Sequence, residues 1–188
     1  MNRRFLYICG MLAPVWFVFM SILGGAMRPG YSHFRDTVSE LFAPGSPNKP
    51  FLDILHAIFA VLLILFGIGL LLFFQRTGHL IRIGQIGACL FILMGCVSMM
   101  TATIFPQDPW GASATFTGEM HILLSGVIGI LSIFSMLLIG IWFGRTKTSP
   151  GFRVYTFITI GMVLISAGIF AASTGGAWMG LTERIAAL

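Results

Sequence analysis

Long apolar runs separated by short polar gaps dominate the chain. Uncharged stretches extend from Phe5 to Met27, Ile54 to Phe74, Ile83 to Phe105, Met120 to Phe143 and Val154 to about Trp178. Each approaches or exceeds the roughly 20 residues that a helix rising 1.5 Å per residue needs to cross the hydrocarbon core. None alternates apolar and polar positions as a membrane β-strand does. The pattern therefore predicts an all-α, polytopic transmembrane helix bundle of five spans, forming a single integral membrane domain over residues 1–188. The first run is long for a signal-peptide core and carries no clear small-x-small cleavage site, so it reads as a retained helix.

The gap after the first run has a pattern of its own. Pro29-Gly30 breaks the preceding helix, Ser32 is a good N-cap, and Pro44 stops the helix that Ser32 would begin. Between them, helical spacing puts Phe34, Val38 and Leu41 on one face and His33, Asp36, Thr37 and Glu40 on the other. This predicts a short interfacial helix lying across the end of the bundle. Thr117 is placed to cap the fourth span, and Gly84/Ala88, Gly140/Gly144 and Gly168/Ala172 are small-residue pairs that allow helices to approach closely.

Composition sharpens the class. Hydrophobic residues make up 57% of the chain and charged ones 9%, with a mean hydropathy of +0.95. A soluble domain devotes about a quarter of its residues to charge, so a globular enzyme and a disordered chain are excluded. The net charge of +5 does not indicate nucleic acid, because the basic residues sit in the gaps between spans instead of forming a patch. Cys9, Cys89 and Cys96 fall within apolar runs and read as buried thiols, not as a disulfide framework.

Charge distribution sets the orientation. With five spans, the N-terminus shares a side with the second and fourth connections, which hold Arg3, Arg4, Arg76, Arg82, Arg145, Lys147 and Arg153 and no carboxylate. Lys and Arg in short loops resist translocation, so this side is expected to be cytoplasmic. The opposite side holds all six acids, Asp36, Glu40, Asp53, Asp108, Glu119 and Glu183, together with His33, His56 and His121, while His79 is cytoplasmic.

Several of these groups start helices close to the membrane boundary, where ionisable side chains are costly unless paired or facing a wet cavity. Asp53 and His56 are three apart, an acid-x-x-His spacing that bundles use to hold metals and that also makes a hydrogen-bonded structural pair. Asp108 is presented between two prolines. His121 sits in a first helical turn, where a positive charge gains nothing from the helix dipole. One reading places zinc or another divalent metal among His33, His56 and His121 with Asp36 or Asp108, and Glu119 or Glu40 as the base. The reaction would be hydrolysis or transfer on a lipid head group. Others are a proton- or ligand-binding or transport site, a haem held by His56 and His121, and a structural accessory subunit whose polar groups fix loops. The expected partners are membrane lipids and a second copy of the chain, not nucleic acid.

The run Pro29-Gly30-Tyr31-Ser32-His33, then Asp36, Ser39-Glu40-Leu41 and Ala43-Pro44-Gly45-Ser46-Pro47-Asn48, resembles the signature of the bacterial membrane family called domain of unknown function 998. Phe105-Pro106, Asp108-Pro109, His121 and Gly180-Leu181-Thr182-Glu183-Arg184-Ile185 carry the same resemblance. It implies a bacterial inner-membrane protein of about six helices, and it adds Tyr31, Ser32, Glu183 and Arg184 to the candidate site residues and Ser39 to the candidate catalytic groups beside Glu40 and Glu119. It implies no activity. The family's last helix has no counterpart before Leu188.

Overall fold

The computed structural model describes residues 3–75, 81–147 and 149–187, so Arg76 and His79 lie outside the described residues. Among the described residues six α-helices form: α1 (Arg3–Ala26), α2 (Lys49–Phe74), α3 (Ile81–Thr103), α4 (Phe116–Thr146), α5 (Pro150–Ser173) and α6 (Met179–Ala187). The first five are long and apolar enough to cross a membrane, whereas α6 has 9 residues. The five-span bundle expected from the apolar runs is therefore present.

Packing follows chain order, with α1 against α2, α2 against α3, α3 against α4, α4 against α5, and α5 against α6. Two buried clusters hold the bundle. At the end that carries the acids, Met20, Leu52, Leu55 and Ala102 surround Val38, Leu41 and Phe42 from the first connection. At the basic end, Phe74, Ala88, Ile139 and Trp142 interlock. Gly84 and Ala88 are buried, with the Phe74 ring seated on Gly84, and Gly140 and Gly144 receive Thr156 and Arg153 of α5. Gly168 faces open space instead, as do Gly126, Gly129 and Gly161, so α4 and α5 meet mainly toward the basic end.

Local details differ from the sequence reading. The interfacial helix shrinks to a single 3-10 turn, Ser39–Phe42. Val38 and Leu41 are buried as expected, but Phe34 is 57% exposed, so the three do not share a face. Ser32 caps no helix, because the residues after it form turns up to the 3-10 turn at Ser39, and its amide donates to the Asp36 carboxylate at 2.8 Å. The cap of α4 is Thr115, whose hydroxyl accepts from the Gly118 amide at 3.2 Å, and Thr117 lies inside the helix. Cys9 is buried, but Cys89 and Cys96 are exposed along α3, on faces turned out of the bundle, and all three are free thiols.

The helix order places every acid at the end where α1 finishes and α6 begins. Orientation is tested by reporter fusions: those after Gln75 and Arg145 are expected to read cytoplasmic and one after Pro47 external. An external signal at Arg145 would overturn the assignment.

Candidate functional site

The polar groups at the acidic end fall into two separate assemblies. One joins the first connection to α6, and the other lies along α3.

In the first, Thr37 and Glu40 satisfy each other in the manner of a capping box. The Glu40 amide donates to Thr37 Oγ1 at 3.2 Å, and the Thr37 amide donates to Glu40 Oε2 at 3.1 Å. Glu183 closes the turn from the other side. Its carboxylate accepts from the Val38 amide and, at 2.9 Å, from the Ser39 hydroxyl. Burial pushes the Glu183 carboxyl above its ordinary range, against the pull of the donors from Val38 and Ser39.

Arg184 points the other way. Its Nη1 donates to the carbonyls of His33 (2.9 Å), Asp36 (3.0 Å) and Gly180 (2.7 Å). Nη2 donates to the Tyr31 hydroxyl at 2.5 Å, and Nε to Ser21 Oγ of α1 at 3.2 Å. The Tyr31 hydroxyl in turn donates to the Thr37 carbonyl at 2.7 Å. The ring of Tyr31 has two guanidinium groups near it, Arg28 at 5.9 Å and Arg184 at 5.7 Å. Burial raises the Tyr31 phenol to about 12, although the neighbouring Arg184 charge acts in the opposite direction.

Backbone contacts complete the seam. The Leu181 amide donates to the Phe34 carbonyl at 3.0 Å, and Gly180 lies directly on the Asp36 backbone. His33 packs edge-on against Tyr31, with ring centroids 5.2 Å apart, and touches Gly25. Burial, with help from the Arg184 charge, lowers the His33 imidazole from its usual value. Asp36 turns outward to Arg35 at 2.7 Å, and that hydrogen-bonded pairing holds its carboxyl low.

In the second assembly, His56 of α2 and His121 of α4 are 8% and 7% exposed and both address α3. His56 Nε2 lies 2.9 Å from the Ser98 carbonyl oxygen, while its Nδ1 is buried without a partner. His121 Nδ1 lies 3.1 Å from the Thr101 carbonyl and 2.9 Å from that of Phe105. A carbonyl only accepts, so the contacting nitrogen of each ring carries the proton. Metal-binding histidines fix their tautomer with such a contact, and a buried histidine satisfies itself in the same way.

Asp53 does not pair with His56. It binds the Lys49 ammonium at 2.7 Å, one turn back on α2. Asp108 is used in its loop, accepting from the Thr115 amide (2.8 Å) and hydroxyl (2.7 Å), and these bonds hold its carboxyl low. Glu119 is exposed on α4.

The expected single cluster is thus divided. His33 stands with Tyr31 and Arg184, whereas His56 of α2 and His121 of α4 stand against α3. Among the described residues, no three His, Cys, Asp or Glu side chains converge as a metal-holding group. Asp36, Asp53, Asp108, Glu40 and Glu183 each answer a nearby amide, hydroxyl or cation.

The sequence placed Thr37 on the polar face with His33, Asp36 and Glu40 but did not single out Ser21, Arg28, Ser98, Thr101 or Thr115 as members of either assembly. Some of them carried a signal. Thr37-x-x-Glu40 has capping-box spacing, and Ser98 and Thr101 are polar residues within an apolar run. Ser21 carried the same weak signal, a polar residue within an apolar run.

Between α1 and α6 the surface opens into a groove of about 190 Å3 lined by Phe17, Val18, Ser21, Ile22, His33 and Arg184. Its accessible surface is almost entirely apolar, and Ser21, His33 and Arg184 border it on the side of the first connection and α6. Val18 and Ile22, 39% and 58% exposed, stand on its outer side.

A family model described as "Protein of unknown function (DUF998)" matches residues 11–188. No curated protein and no solved structure matches the chain.

Proposed function

We propose that this chain, which belongs to the family of proteins of unknown function DUF998, is a multi-pass membrane protein that binds an amphiphile from the lipid phase in the groove between α1 and α6. One observation carries the reading. Ser21, His33 and Arg184, brought from three segments, meet the apolar side chains Phe17, Val18 and Ile22 in one groove that faces out of the bundle. An apolar wall beneath a few convergent polar groups suits a ligand with a hydrocarbon tail and a polar head.

Depth favours the same ligand. Ser21 lies five residues before the end of α1 at Ala26, about 7.5 Å along the axis at 1.5 Å per residue. The polar end of the groove then sits near the level of lipid head groups, and Phe17 and Val18 about a turn deeper. For this end, the charge asymmetry favours the extracytoplasmic leaflet of a bacterial inner membrane.

A hydrolase acting on the same lipids draws less support. Ser39 and Glu40 are engaged in closing the 3-10 turn, and Glu119 stands exposed on α4. None of these candidate catalytic groups lines the groove.

Protein purified in a mild detergent is expected to retain about one lipid per chain, read by mass spectrometry of the extracted material. Val18→Trp fills the groove from its exposed wall and should strip that lipid while leaving the bundle folded. A parent protein that carries no lipid, or a Val18→Trp variant that carries as much as the parent, would refute the reading.

A further inference from the structure

We infer that the groove selects the negatively charged phosphodiester head of a phospholipid, with Arg184 as the group that recognises it; the inference rests on the lipid-binding reading above and adds the chemistry of the head group.

The basis is the company that Arg184 keeps. Its partners are a serine hydroxyl, a tyrosine hydroxyl and three backbone carbonyls, all of them neutral. Among the described residues the ion pairs within 4.0 Å are Arg35–Asp36 and Lys49–Asp53, and neither involves Arg184. Its neighbour Glu183 turns to the opposite side, onto the amides of Val38 and Ser39. The second cation beside Tyr31, Arg28, spends an N–H on the Glu40 carbonyl at 2.8 Å, again a neutral acceptor. The head of the groove therefore holds a half-buried cation with no anion in contact, beside an apolar wall where the local dielectric is low.

Such a charge is costly to hold unless something compensates it. A guanidinium has five N–H donors. Nε makes one bond and the two Nη1 hydrogens serve three carbonyls, whereas Nη2 makes a single bond, to Tyr31. One Nη2 hydrogen is left for a ligand. Arg is suited to phosphate because its donors are planar and its charge is permanent. His33, which also lines the groove, adds a second polar residue beside it. An acyl chain against Phe17, Val18 and Ile22 would put a lipid phosphate within reach of both, which free phosphate cannot exploit.

The test uses the full chain in detergent with added lipids, and binding is read by native mass spectrometry. The probes are phosphatidylglycerol, phosphatidylcholine, diacylglycerol with matched acyl chains, and inorganic phosphate. Phosphatidylglycerol is expected to bind about tenfold or more tightly than diacylglycerol, as one hydrogen bond to a charged group allows. Phosphatidylcholine, whose phosphate carries its own cation, should fall between them, and inorganic phosphate should not displace bound lipid.

Ser21→Asp is the decisive variant, since it places a carboxylate next to Arg184 Nε and satisfies the charge from within. It should abolish the preference for phosphatidylglycerol over diacylglycerol, while Ser21→Ala keeps the preference. If the unaltered chain binds phosphatidylglycerol and diacylglycerol equally, the head-group assignment falls and the groove reading stands. If no lipid binds, the groove reading falls as well. Displacement by inorganic phosphate, or a preference that survives in folded Ser21→Asp, would overturn the assignment to an Arg184-held lipid. Should Ser21→Asp not fold, the comparison among lipids on the unaltered chain decides alone.

Discussion

Arg184→Ala is expected to lower stability by about 3–5 kcal/mol, because it leaves several inward-facing acceptors without a donor at once. The guanidinium serves the carbonyls of His33, Asp36 and Gly180, the Tyr31 hydroxyl and Ser21 Oγ, and so ties α6, the first connection and α1 together. An unsatisfied buried acceptor costs about 1–3 kcal/mol, and the expected loss allows for water reaching part of the gap. Arg184→Lys keeps the charge but offers one ammonium where the acceptors are spread around a planar fork, so it should recover less than half of the loss. Thermal unfolding in detergent measures both variants, and limited proteolysis of the first connection reports where the damage lies. A change within about 0.5 kcal/mol for Arg184→Ala would show that α6 is held by other contacts.

Gly180→Ala is expected to destabilise by about 2–3 kcal/mol, opposite in sign to the usual effect of alanine in a helix. A Cβ on Gly180 would lie 2.9 Å from the Asp36 amide nitrogen and closer still to the Asp36 carbonyl oxygen. Both are backbone atoms, so no rotamer relieves the overlap and α6 must lift. Lifting it breaks the bond from the Leu181 amide to the Phe34 carbonyl and stretches those of Arg184. Gly126→Ala and Gly161→Ala are the controls. Nothing lies within 4 Å of a Cβ at either position, so each should be neutral or stabilising by up to about 1 kcal/mol. Equal effects at Gly180 and Gly161 would mean that the close approach carries no energetic weight.

Only some members of the candidate site were legible in the sequence, and their grouping was not. Glu183 and Arg184 stood out in the closing motif, and Tyr31, His33, Asp36 and Ser39 in the first connection. What the residues could not disclose is that adjacent Glu183 and Arg184 part company, one holding the Val38 and Ser39 amides and the other reaching the His33 carbonyl 151 positions away. The expected Asp53–His56 pair failed for a related reason. Helical spacing puts both on one face, but Lys49 one turn back offered the acid a full charge, and the neighbouring helix offered the imidazole a carbonyl.

Sequence alone determined the five spans, the end at which every acid gathers and the positions at which polar groups meet the membrane boundary. These come from rules local to the chain: a span is set by the length of an uncharged run against the thickness of hydrocarbon, and sidedness by the parity of spans between charged gaps. Tertiary structure alone decided the partners. A polar group near a membrane boundary must be satisfied by whatever donor, acceptor or charge lies nearest. That identity depends on how helices remote in sequence approach, as when Gly25 and Gly180 let the His33 ring and the Asp36 backbone come into contact. Sequence therefore shows which groups will seek partners, and only the packing of α1, α6 and the first connection shows that Arg184 meets no acid.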